Sequence, residues 1–78
     1  MATVGLVLMH LEAGRERDAI EKIKKVDGVK GVTGVFGSWD AIATIEAKDL
    51  ETLAGLVVGR VRAVLGVVDT QTLIEVKV

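Results

Sequence analysis

The sequence predicts one α+β domain spanning residues 1–78, with its elements in the order βαββαβ, the ferredoxin-like arrangement. Two observations carry this. The chain repeats itself at an offset of 38 residues, which lays Ile20 on Val58, Ile23 on Val61, Val26 on Val64, Gly28 on Gly66 and Val29 on Val67. In both halves an apolar stripe at helical spacing runs into a glycine and then into a Val-rich stretch, which reads as helix, stop and strand. Two copies are too few to stack as a solenoid, so each half is a β-α-β unit and the halves share one core.

The first strand is expected from about Thr3 to His10, with Val4, Leu6 and Leu8 on one face and Gly5, Val7 and Met9 on the other. A helix is expected from about Arg15 to Lys25. It turns Ala19, Ile20, Ile23 and Val26 inward and sets Asp18/Lys22 and Glu21/Lys25 at i,i+4 outside. Gly28 ends it, because a left-handed residue is easiest for glycine. The second strand, about Val29 to Phe36, passes through a tight turn at Gly37-Ser38-Trp39-Asp40 into the third, about Ala41 to Ala47. Asp49 is the expected N-cap of the second helix, whose stripe is Leu50, Leu53, Ala54, Val57, Val61, Val64 and Leu65 up to Gly66. The last strand is expected over about Val67 to Val78, with Val68, Thr70, Thr72, Ile74, Val76 and Val78 on one face.

Two helices on one side of a four-stranded sheet leave its other face bare, yet the first and last strands are apolar on both sides. A second copy should cover that face. The expectation is a dimer joined sheet to sheet, a dimeric α/β barrel, because an open apolar patch of several hundred Å² is rare on a monomer. Size points the same way. A chain this short, with 3% aromatic residues and no cysteine for disulfides, needs more than its own aliphatic core.

Composition excludes several functions. Ten Lys and Arg against eleven Asp and Glu give a net charge of -1, which provides no footprint for a phosphate backbone, so direct nucleic-acid binding is not expected. The longest near-apolar stretch, Leu53 to Gly59, is far below the ~20 residues of a bilayer span. No signal peptide is evident at the apolar N-terminus, and a cytoplasmic location is expected. The absence of Asn and the single Gln71 hint at a thermophile source.

Chemistry-bearing residues are few. His10 is the only histidine and Ser38 the only serine, and a triad of His10, Ser38 and Asp40 lacks a nucleophile elbow, so His10 reads as a polar residue ending an edge of the first strand. One His and no Cys give no transition-metal site, and no cofactor is expected. Gly55 and Gly59 carry a small-x-x-x-small spacing, explained either by a subunit contact or by tolerance on an exposed face. Gly28, Gly31, Gly34 and Gly37 recur every three residues without the Lys-Ser/Thr and helix of a phosphate loop. At Gly37-Ser38-Trp39-Asp40 exposed N–H groups can receive a carboxylate and the Asp40 carboxylate an ammonium group, together an α-amino acid. The alternative is a plain hairpin turn in which Asp40 caps its own backbone.

The run Val35-Phe36-Gly37-Ser38-Trp39-Asp40, the acidic helix start at Asp49 and the end Gly66-Val67-Val68-Asp69-Thr70-Gln71-Thr72-Leu73 resemble the effector domain of the leucine-responsive regulator/AsnC family, the RAM domain. The resemblance covers essentially the whole chain. It implies dimers made through the sheets, assembled into octamers or decamers, with amino-acid effectors bound between neighbouring dimers. It places ligand-binding residues at Gly37, Ser38, Trp39 and Asp40, with Trp39 walling the pocket, and the family's threonine-x-threonine step at Thr70 and Thr72. Regulators of this family carry an N-terminal helix-turn-helix domain with no counterpart before Met1, so a stand-alone effector module is expected. The leading expectation is a non-catalytic, homo-oligomeric amino-acid-binding module linked to transcription regulation or amino-acid metabolism. Two alternatives stand beside it: a structural module co-assembling with full-length regulators of the family, and a small enzyme of the dimeric α/β barrel type.

Overall fold

The computed structural model describes residues 2–76. Its elements are β1 (Thr3–Leu11), α1 (Glu16–Lys24), β2 (Val29–Gly34), β3 (Ala41–Ala47), α2 (Leu50–Leu56) and β4 (Val67–Ile74), and they follow the βαββαβ order. The strands form one antiparallel sheet in the order β2-β3-β1-β4. β1 is therefore an interior strand, and His10 lies next to its last residue, near the strand end where the sequence reading put it.

Register decides which side chains meet the helices. Val7 stands opposite Ala43 and Thr72, and Met9 opposite Ala41 and Thr70, so these residues share one face of the sheet. On that face Val7, Met9, Leu11, Ala41, Ala43 and Ile45 are buried against Ala19 and Ile23 of α1 and Leu53 of α2. The alanines of β3 keep the sheet surface low, and at Gly5 a Cβ would meet the Leu53 methyls at 3.2 Å. Close helix-to-sheet approach excludes water from a core built without aromatic rings.

α1 buries Ala19 and Ile23, with Ile20 and Val26 only half-buried. Outside, Glu21 pairs with Lys24 at 3.4 Å, one residue closer in sequence than the expected Glu21/Lys25 and Asp18/Lys22 pairs. Gly28 follows with φ of +95°, where a Cβ would sit 3.1 Å from the Glu46 carbonyl oxygen, so the chain needs glycine there twice over. The second helix departs from expectation. Asp49 caps it by accepting from the Thr52 N–H at 2.8 Å, as the sequence indicates. Beyond Leu56 it widens into a π-helical segment over Val57–Val61, with Arg62 N–H donating to Val57 O at 2.9 Å. In a regular helix each i,i+4 step drifts by about 40°. The wider turn rewinds that drift and keeps Leu53, Val57 and Val61 on one line in the core, while Leu50, Ala54 and Leu65 are exposed.

β4 is shorter than expected, and Val78 lies outside the described residues. A bulge accounts for a second difference: Leu11 pairs with Val67 and His10 with Asp69, which drops Val68 out of the alternation and leaves it exposed while Val67 packs on the core. The sheet face away from the helices carries Val4, Leu6 and Leu8 of β1, Ile42 and Thr44 of β3 and Gln71 and Leu73 of β4. Its facing pair Leu6 and Leu73 is 39% and 44% exposed, and no helix among the described residues covers it.

Candidate functional site

The residues assigned to a ligand from sequence occupy two places. One is the turn between β2 and β3. Gly37 enters it with φ of +130°, a conformation side chains avoid, and Phe36 beside it projects fully into solvent. The turn is fastened at its exit: Asp40 N–H donates to Met9 O at 2.9 Å, Val35 N–H to Asp40 O at 2.9 Å, and the Asp40 carboxylate accepts from Leu11 N–H at 2.8 Å. Asp40 thus ties the turn to β1 rather than capping its own backbone.

His10 closes the same cluster, a role the sequence reading missed. Its ring stacks on Trp39 with centroids 4.2 Å apart and planes 14° from parallel. Nδ1 lies 2.5 Å from Asp69 Oδ1 on β4, and Nε2 lies 2.5 Å from the Ser38 carbonyl oxygen. Hydrogen bonding to the Ser38 carbonyl, and then to Asp69, raises the His10 pKa above its ordinary value. The signal was present in the sequence only as parity along β1 and β4, because the contact needs the bulge and the turn to come together.

The other place is a groove beside β4. α2 packs over β1 and β3, so the helix-facing side of β4 is left half-covered. The result is a depression of about 300 Å³ lined by Leu53, Val57, Val58 and Ile74, with Thr70, Thr72 and Arg62 as its polar groups. Its size is at the lower end of small-molecule sites. Thr70 and Thr72 point to the helix side of the sheet, whereas Asp69 and His10 point to the open side. Within one copy, then, Gly37, Ser38, Trp39 and Asp40 cluster together and Thr70 and Thr72 line a separate groove. Trp39 lies flat on His10 and does not wall that groove. Among the described residues no group of three or more potential ligands is placed to hold a metal ion.

Comparison with known proteins places this arrangement. The family model of the Lrp/AsnC ligand binding domain matches residues 4–78. The chain belongs to that family. This Lrp/AsnC domain is similar in structure to FFRP-DM1, with a TM-score of 0.89 and 30% identity, covering 97% of this chain and 100% of that one. It is similar to TTHA0845 from Thermus thermophilus, with a TM-score of 0.90 and 29% identity, covering 100% and 96% of the two chains. A transcriptional regulator from Neisseria meningitidis, solved as its L-Met complex, shares the fold with a TM-score of 0.85 at 17% identity; the match covers 96% of this chain and 50% of that one. No curated protein matches the chain. The Lrp/AsnC ligand-binding domain is a regulatory module, and the four-stranded sheet with two helices is its fold.

Proposed function

We propose that the chain is a non-catalytic effector module whose ligand is an α-amino acid and whose working form is an assembly of sheet-to-sheet dimers. The apolar open face carries the reading: Leu6 opposite Leu73, flanked by Leu8, Val4 and Ile42, is a surface that water disfavours and a second copy relieves. Assembly then supplies what one copy lacks. The Gly37–Asp40 turn and the Thr70–Thr72 groove are separate in a single chain, and contact between neighbouring dimers joins one copy's turn to another's groove. In such a cleft the apolar lining receives an aliphatic side chain, the hydroxyls of Thr70 and Thr72 and the turn's N–H groups receive the carboxylate, and Asp40 faces the ammonium group.

Ligand binding acts through differential affinity for assembly states. A ligand that fits one arrangement better by ~1.4 kcal/mol moves the equilibrium tenfold. The L-Met complex of the Neisseria regulator supports an amino-acid effector on this fold. A calorimetric screen of the twenty amino acids, read beside native mass spectrometry, tests the proposal: heat with at least one amino acid and a shift in assembly mass are expected. No heat and no shift would remove the effector role and leave co-assembly with DNA-binding relatives as the surviving reading.

A further inference from the structure

We propose that His10 is the positioning residue of the Gly37–Asp40 turn, holding it against β1 and β4 in one geometry only while the imidazole ring carries both of its protons. The geometry is a three-way junction. From an interior strand, the ring reaches β4 through Asp69 Oδ1 at 2.5 Å and the turn through Ser38 O at 2.5 Å, and it lies on the Trp39 indole at 4.2 Å. The Ser38 carbonyl and the Asp69 carboxylate both present acceptor oxygens to the ring. A neutral imidazole offers one N–H and one lone pair, so one of these two contacts would set lone pair against lone pair and open. Only the imidazolium satisfies both acceptors at once.

The surroundings favour that cation. Within one copy the charged groups facing the ring are Asp69 from β4 and Asp40 from the turn, both negative. The indole face of Trp39 adds a cation–π contact. The sign of the linkage follows: with the folded pKa above the ordinary 6.5, the hold is complete below about pH 6.5 and is lost as pH rises through the folded value. The single N–H of the neutral ring stays with the Asp69 carboxylate, a stronger acceptor than a neutral carbonyl, so the Nε2 contact is the one lost; this frees Ser38 and the Trp39 ring, while the Asp40 bonds keep the turn's exit in place. The consequence for effector affinity, tighter binding on the acid side, rests on the reading of the turn as ligand-bearing given above.

The chain has one histidine and one tryptophan, so both partners report without ambiguity. The experiment is a pH titration of the intact protein with no amino acid present, following the imidazole carbon-bound protons by NMR and Trp39 by its fluorescence. The expected result is a single His10 midpoint above 6.5, matched by a rise in Trp39 emission as the quenching imidazolium loses its proton. Asp69→Asn should lower the midpoint, and His10→Gln, folded by circular dichroism, should abolish the pH-dependent Trp39 signal while amide exchange at Ser38 and Trp39 quickens at about pH 6. A midpoint at or below 6.5, unmoved by Asp69→Asn, or Trp39 emission that ignores His10 protonation, would overturn the proposal. Because no effector is present, a silent calorimetric screen would remove the amino-acid reading without touching this result.

Discussion

Replacing Gly28 by alanine tests how the chain leaves α1 and enters the strand that carries the turn. At φ of +95° a Cβ costs about 1–2 kcal/mol. The nearest atoms add to this unequally. The Leu56 methyl at 3.0 Å can swing away, but the Glu46 carbonyl oxygen at 3.1 Å is main chain and must shift with β3. A total of about 2–3 kcal/mol follows, and for a domain of this length about 1 kcal/mol moves the melting temperature by roughly 4–8 °C. Gly34→Ala is the internal control. Gly34 has an ordinary φ and nothing within 4 Å of a Cβ, so alanine there is neutral or raises stability by about 0.4–1 kcal/mol. Thermal unfolding of both variants at equal protein concentration decides the matter, because assembly makes the melting temperature concentration-dependent. Equal melting temperatures for Gly28→Ala and Gly34→Ala would refute the reasoning.

The Asp49 cap gives a pH-dependent prediction. Its hydrogen bond to Thr52 lowers the Asp49 pKa below the usual 3.8, so the capping contribution is present above that value and is lost as pH falls through the lower, folded one. Asp49→Ala should therefore melt below wild type at about pH 7, and the gap should narrow by about pH 3; a constant gap would contradict the cap. Gly55, on α2, has nothing within 4 Å of a Cβ, and Gly55→Ala should stabilise by about 1 kcal/mol through helix propensity. A drop in stability or in assembly mass would mark Gly55 as a contact between copies.

Local rules made much of the fold legible. Glycine stops, the Asp49 cap and strand alternation gave the element order, and β3 was placed at Ala41–Ala47 as observed. What was missed needed non-local geometry. The bulge that expels Val68 depends on how β4 meets Leu11, and the widened turn at Val57–Val61 answers the core's demand for three aligned side chains, which a periodicity count assigns to a regular stripe. The site was legible in the same uneven way. The turn Gly37–Asp40 could be read from its residue types, while His10 acquires its role from Asp69, fifty-nine positions away, and from a strand order that puts β1 inside the sheet.

Whether the open face is covered by a second copy is answered most directly by sedimentation. Wild type at micromolar concentration should run at twice the single-chain mass or an even multiple of it, and Leu6→Glu with Leu73→Glu, which set two charges facing each other on that face, should drive it toward single chains. A folded wild-type protein that stays a single chain at that concentration would contradict the account.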